Sequence, residues 1–216
     1  MRLHEKLSNV YEILNEHFGE LNWWPGETPF EVAVGAILTQ NTNWKNVEIA
    51  ISRLKAADLL DPLRLYAADD NIVADLIRPS GYYNVKTKRL KAFLLFLQES
   101  FEGRMERMFE EEPWALRRKL LDVSGIGEET ADSILLYSVG KPVFVVDAYT
   151  RRILERHNII TPAWSYKEIQ SLFMDNLPRD ASLYNQYHAL LVNTGKYFCR
   201  REPLCSGCPL DGLKPA

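Results

Sequence analysis

Three cysteines fall within ten residues of one another near the C-terminus: Cys199, Cys205 and Cys208, in the run "CRREPLCSGC". A disulfide framework would spread an even number of cysteines through the chain, so this group reads as thiolate ligands of a metal or cluster site. A second kind of chemistry is offered by "LLDVSGIGEETADSILLYS", which reads as a helix end, a tight turn and a helix start. Gly125 and Gly127 let the backbone bend sharply and let a phosphate come close. The N–H groups that begin the next helix, backed by the positive end of its dipole, then form a phosphate clamp that needs no cationic side chain. The same Gly-x-Gly pattern also serves as a plain turn between helices. Asp147 is the third candidate, a carboxylate directly after the apolar run "VFVV" and directly before a helix, where its simplest duty is to cap that helix.

Helices must position all of these groups. "LHEKLSNVYEILNEHF" places Leu3, Leu7, Val10, Tyr11, Leu14 and Phe18 on one stripe, and "PFEVAVGAILTQ" is apolar almost all round, as a helix buried in a domain would be. Similar periodicity predicts helices over "NWKNVEIAISRLKA", "DDNIVADLI", "KTKRLKAFLLFLQESF", "EPWALRRKLLDV", "EETADSILLYSVG", "DAYTRRILERHNI", "SYKEIQSLFMDNL" and "DASLYNQYHALLVNTGKYFC". Pro and Gly punctuate the joins at "WWPGETP", "RPSGYYN", "VGKPVF" and "TPAW". "KPVFVV" has β composition but no partner strand, so it is read as an extended connector. The expectation is an all-α fold of about ten helices, with no repeat of solenoid length.

The chain of 216 residues is long enough for one large domain or two interlocked ones. Its hydrophobic content of 46% and charged content of 25% are ordinary for a globular protein. No apolar run is long enough to cross a membrane and no signal-peptide pattern opens the chain, which makes the cytoplasm the expected compartment, with nucleoid association in a prokaryote. The net charge of −3 does not advertise nucleic-acid binding. Local density matters more. Three basic clusters stand out: Lys86, Lys88, Arg89 and Lys91; Arg117, Arg118 and Lys119; Lys196, Arg200 and Arg201. Each is either a solvated helix face or a phosphate contact.

Taken in order, "LTQNT", "RPSGYYNVKTKRL", "LLDVSGIGEETADSIL", "VFVVDAYTRRIL" and "GKYFCRREPLCSGCPL" resemble the endonuclease III type of the helix-hairpin-helix (HhH-GPD) DNA glycosylase superfamily, over essentially the whole chain. The resemblance implies that the hairpin of Ser124, Gly125, Ile126 and Gly127 binds DNA, with a monovalent cation possible in it. It also implies that Asp147 is the aspartate essential for cleaving base from sugar. Bifunctional members carry a lysine after the hairpin that forms a Schiff base and cuts the backbone. Glu129 stands at that position here, and a carboxylate cannot form an imine. The implied enzyme is therefore monofunctional, using water and leaving an abasic site in an intact strand.

"NWWPGETPF" and "TQNTNW" add a further likeness, to the 3-methyladenine DNA glycosylase III branch of the family. In that branch a tryptophan–proline pair and an aromatic residue sandwich a positively charged alkylated purine. Trp23, Trp24, Pro25 and Trp44 match those positions, with Glu129 expected in the pocket wall; Trp residues here could equally be core packing. Gln40 matches the family glutamine that fills the hole left in the duplex, and Lys196, Arg200 and Arg201 lie where a loop would meet DNA. Rival expectations are an endonuclease III-like glycosylase/AP lyase for oxidised pyrimidines or mismatches, and a non-catalytic module that binds damaged DNA.

The family's [4Fe–4S] pattern is C-x6-C-x2-C-x5-C, whereas this chain has C-x5-C-x2-C, with Lys214 where the fourth cysteine would fall. Either a cluster is retained with a different fourth ligand, such as Asp211 or solvent, or it is lost. Zinc held by three cysteines and a histidine fits less well, since His188 is eleven residues before Cys199 and the other three histidines are remote in sequence. The resemblance further implies two helical lobes, residues 20–138 ending in the hairpin and residues 1–19 with 139–216, with DNA in the groove between them. The implied partner is double-stranded DNA with a damaged base, bound by a monomer.

Overall fold

The computed structural model describes residues 2–21 and 23–213, in which eleven α-helices form and no strand does. In chain order they are α1 (Leu3–Phe18), α2 (Pro29–Leu38), α3 (Trp44–Ala56), α4 (Pro62–Ala67), α5 (Asp70–Leu76), α6 (Tyr83–Phe101), α7 (Pro113–Leu121), α8 (Glu128–Ser133), α9 (Ala148–Arg156), α10 (Tyr166–Met174) and α11 (Ala181–Tyr197). Their starts follow from capping chemistry: the side chains of Thr28, Asn43, Asp61, Asp147 and Asp180 each accept from an N–H of the first turn, with proline at the start of α2 and α4. Helix α4 was not expected from periodicity. Six residues are too few to display a 3.6-residue period, and only the Asp61–Pro62 start signal marked it.

The chain forms two compact units, Trp24–Lys141 and Met1–Trp23 with Pro142–Ala216. In the first unit α2 is the central helix. From Phe30 to Leu38 every residue is buried, and α3, α6 and α8 pack around it. Such a helix has no polar face to show solvent, which is why its sequence is apolar all round. Helix α8 continues into a π-helical turn, Ile134–Ser138, whose Ser138 hydroxyl donates to Pro29 O at the start of α2.

In the second unit α1 packs on α11, and α11 on α9. Leu7 and Leu14 are fully buried and Tyr187 donates its hydroxyl to Leu7 O at 2.9 Å, so the first helix of the chain is stapled to the last. Val143, Phe144, Val145 and Val146 run extended through this core. With no neighbouring strand, side chains satisfy their backbone: Gln170 donates to Phe144 O at 2.7 Å, and the Tyr166 hydroxyl accepts from Val146 N at 3.3 Å. The Phe144 ring stacks on Phe173 of α10 with centroids 3.8 Å apart and meets Tyr184, Tyr187 and His188 of α11 edge-on. This apolar anchor fixes the backbone that delivers Asp147 to the start of α9. No helix among the described residues is long and apolar enough to cross a membrane.

Candidate functional site

The hairpin lies between α7 and α8. Gly125 adopts φ +86°, a conformation side chains resist, and a Cβ there would sit 2.3 Å from Arg89 Cγ. Ile126 is the buried plug of the turn, with its N–H donated to Val123 O at 3.1 Å, while Ser124, Gly125 and Gly127 are exposed. Gly127 is extended at the N-cap of α8 and offers no capping side chain to the first N–H groups. Asp132 of α8 is fully buried and accepts from Arg117 of α7 at 2.6 and 3.0 Å. That two-pronged ion pair ties together the helices that frame the turn. Glu128, also within reach of Arg117 at 3.4 Å, and Glu129 lie exposed on the first turn of α8, where their charge complements the helix dipole.

Gln40, two residues beyond α2, is engaged from both ends. Its amide nitrogen donates to Gly125 O at 3.1 Å and to Thr130 Oγ1 at 2.9 Å, and its oxygen accepts from Arg89. Beneath it Lys86, 1% exposed, donates to Leu38 O at 2.8 Å and to Ser80 O at 2.6 Å, closing the C-terminus of α2. Burial, helped by the nearby Arg89 charge, pushes the Lys86 ammonium down to about 8.

The aromatic residues divide. Trp24 meets Trp44 edge-to-face with centroids 5.1 Å apart and lies 4.8 Å from the Tyr137 ring. Gly35 of α2 makes this possible, since a Cβ there would press on Trp44 at 3.3 Å and on Trp24 Nε1 at 3.4 Å. The Trp44 N–H donates to Glu48 at 2.8 Å. Pro25 and Trp44 share a recess of about 420 Å³ with Glu27, Glu31, Glu48 and Lys55. Trp23 belongs to the other unit and lines a recess with Tyr11, Asn15, Glu20 and Gln186.

Asp147 does cap α9: its Oδ1 accepts from Thr150 N at 2.7 Å. Its Oδ2 lies 3.7 Å from His188 Nε2 on α11. His188 is 4% exposed, and burial pushes its pKa below the ordinary imidazole value despite the opposing pull of Asp147, which leaves the ring neutral at neutral pH. The side chain of Asp147 itself keeps 12% of its surface in contact with solvent. Capping therefore uses one carboxylate oxygen, while the other faces His188.

Cys199, Cys205, Cys208 and Asp211 line a cavity of about 290 Å³ together with Arg156, His157, Thr194, Phe198, Pro203 and Leu204. Asp211 N–H donates to Cys208 O at 3.0 Å and Cys208 N–H to Cys205 O at 2.9 Å, so two successive turns carry these three side chains. Arg156 donates to Cys199 Sγ at 3.3 Å and to the carbonyls of Arg200 and Arg201, while Arg152 holds Cys199 O at 2.7 Å. The Cys208 thiol is pushed up by burial, reinforced by Cys199, Cys205 and Asp211. Among the described residues no three His, Cys, Asp or Glu side chains are grouped tightly enough to hold a single metal ion. Three thiols and a carboxylate around a cavity fit instead a body several atoms across, such as a cluster. Lys214 lies outside the described residues. His157, forty-two positions before Cys199, is brought to the same cavity; its distance in sequence gave no sign of this.

Two basic clusters are largely structural. Arg117 holds Asp132, Lys119 pairs with Glu111, and Lys91 donates to three carbonyls at the end of α4. Lys88, Lys196, Arg200 and Arg201 are exposed. Arg89, Tyr137 and Glu48 were not singled out by sequence reasoning as site residues, and His188 was weighed only as a zinc ligand to the cysteines, not as a neighbour of Asp147. Arg89 read only as one of a basic run, and Tyr137 and Glu48 as ordinary members of amphipathic helices. Tyr82 was also passed over: 72% exposed, it enters α6 in the left-handed conformation, φ 46°.

A glycine hairpin without a capping side chain, an aspartate held at a helix start and a cysteine loop after α11 are the features by which relatives can be compared. A chain from Methanocaldococcus jannaschii, provisionally named a DNA repair glycosylase, is 48% identical over 208 residues, covering 95% of this chain and 94% of that one. An endonuclease III of Sulfolobus acidocaldarius is 29% identical, covering 96% and 91%. Among solved structures, the H. pylori 3-methyladenine DNA glycosylase bound to 1,N6-ethenoadenine superposes with a TM-score of 0.76 at 28% identity, covering 91% of this chain and 98% of that one. A non-covalent endonuclease III–DNA complex shares the fold, with a TM-score of 0.84 at 21% identity, covering 99% and 96%. A profile of the HhH-GPD superfamily base excision DNA repair proteins matches residues 34–179, which include the C-terminal half of α2, the hairpin and Asp147, and the chain belongs to that superfamily.

Proposed function

We propose that this protein is a monofunctional DNA glycosylase that hydrolyses the N-glycosidic bond of alkylated purines such as 3-methyladenine in double-stranded DNA, acting as a monomer. The observation that carries this reading is the aromatic group of Trp24, Trp44 and Tyr137, with the Glu48 carboxylate on the Trp44 N–H. An electron-rich indole attracts a cationic base more than a neutral one, by roughly 0.5–2 kcal/mol, and a carboxylate at the ring edge strengthens that preference. Support also comes from the 28% identity to the H. pylori 3-methyladenine glycosylase.

The chemistry asks little of the protein once the base is cationic. The C1′–N bond breaks with its electron pair going to the base, which departs neutral and needs no acid. Positive charge that develops on the sugar is stabilised by the Asp147 carboxylate, while water adds to C1′ and gives its proton to Asp147 or solvent. The damaged base must first leave the stack, at a cost smallest for damaged or mispaired bases. Ser124, Gly125, Ile126 and Gly127 would hold phosphate through their backbone, with a monovalent cation at the hairpin. Lys196, Arg200 and Arg201 would add charge contacts, and Gln40 would fill the vacated space. Glu129, in place of a lysine, accounts for a reaction without strand cleavage. A [4Fe–4S] cluster held by Cys199, Cys205 and Cys208 completes the reading. Its part is structural, bracing the Arg200–Arg201 loop.

The deciding experiment compares duplexes carrying 3-methyladenine, thymine glycol and a T·G mismatch. Release of 3-methyladenine, with strand breaks appearing only after heat or base, is expected. Breaks formed without such treatment, preference for thymine glycol or T·G, or release no greater than that of Asp147→Asn would each overturn the proposal.

A further inference from the structure

We infer that Asp211 is the fourth protein ligand of the cluster, giving a three-cysteine, one-aspartate site with one iron held more weakly than the others. This rests on the reading of the cysteine cavity as a cluster site. The residues of that cavity carry the inference. Cys205, Cys208 and Asp211 occur at three-residue spacing and are joined by two consecutive N–H···O turns of 2.9 and 3.0 Å, so Asp211 continues the series that the cysteines begin. All three line the cavity of about 290 Å³ that Cys199 closes from the end of α11. Thus three cysteines and one aspartate share the lining of a space larger than one ion. His157 also lines it, but it hangs from the C-terminus of α9, outside the run of turns.

A carboxylate is a harder and weaker donor to iron within a sulfide-bridged cluster than a thiolate. The iron bound by Asp211 should therefore leave first. One-electron oxidation by ferricyanide would release that iron as Fe(II) and leave [3Fe–4S]⁺, which has its own electron paramagnetic resonance signal.

The test uses the full chain, purified without oxygen, with iron and acid-labile sulfide assayed before and after ferricyanide. Wild-type protein is expected to hold four irons and four sulfides and to convert readily to the three-iron form. Asp211→Ala should be isolated already in that form. Asp211→Cys should keep four irons and resist ferricyanide at least tenfold longer. Wild-type protein that takes up neither iron nor sulfide, even on reconstitution, overturns both the cluster reading and the inference. A four-iron cluster of equal lability in wild type, Asp211→Ala and Asp211→Cys leaves the cluster reading intact and overturns the inference alone. So does conversion of His157→Ala, rather than Asp211→Ala, to the three-iron form.

Discussion

His188 Nε2 lies 3.7 Å from Asp147 Oδ2, so the aspartate that caps α9 has a buried neutral imidazole of α11 as its neighbour. Since burial lowers the histidine pKa, the unfolded chain takes up a proton at a higher pH than the folded one. Stability at this site is present above the ordinary value near 6.5 and is lost as pH falls below it. His188→Gln should therefore lose less stability than wild type between pH 7 and about pH 5. Chemical denaturation of both proteins across that range checks this; parallel losses would show that His188 does not titrate as described.

Asp147 serves two roles that substitution can separate. Asparagine still caps a helix, so Asp147→Asn should melt within a few degrees of wild type yet release base roughly 10²–10³-fold more slowly, having lost the charge. Asp147→Ala should also lose about 1 kcal/mol of stability. Single-turnover base release and thermal melts distinguish the two effects.

Lys86 should make stability depend on pH in the alkaline range. Its folded value is about 8 against 10.5 when free, so burying its charge costs stability below pH 8, and that cost is relieved as pH rises toward 10.5. The difference amounts to about 3 kcal/mol. Lys86→Met should remove this slope but leave Leu38 O and Ser80 O without their donor. Unfolding of both proteins measured from pH 7 to about pH 10 checks this: wild type should gain stability relative to Lys86→Met as pH rises, and parallel curves would show that Lys86 does not titrate as described.

The aromatic group should act on base charge. Glu48→Gln is expected to slow release of cationic 3-methyladenine roughly two- to thirtyfold while changing release of a neutral damaged purine less. Trp24→Ala should reduce excision more than it reduces binding to undamaged DNA. Equal losses of both would assign Trp24 to core packing.

The buried pair Asp132–Arg117 holds the hairpin helices. Asp132→Ala leaves Arg117, whose side chain is 14% exposed, without its principal partner, and should destabilise the protein by roughly 3–5 kcal/mol. Replacing both with apolar residues should recover much of the loss, as a double-mutant cycle would reveal.

Much of this protein can be read from local pattern. Apolar periodicity and caps determine the long helices because both act within a few residues of sequence. Gly125 marks a left-handed turn because only local backbone geometry is needed to require it. Asp147 was visible as a cap for the same reason, and α4 escaped because its period is too short to register. Proximity across the fold is different. Arg89 was one basic residue in a run until α6 brought it onto Gly125 and Gln40, and Lys86, in the same run, proved to be wholly buried. His188 reached Asp147, and His157 reached the cysteines, only through the packing of α9, α11 and the loop that follows. Residue types and short-range hydrogen bonds are encoded along the chain, whereas desolvation, which lowers the pKa of His188 and Lys86, depends on what surrounds a group from every side. That surrounding exists only once the apolar faces of the helices have packed.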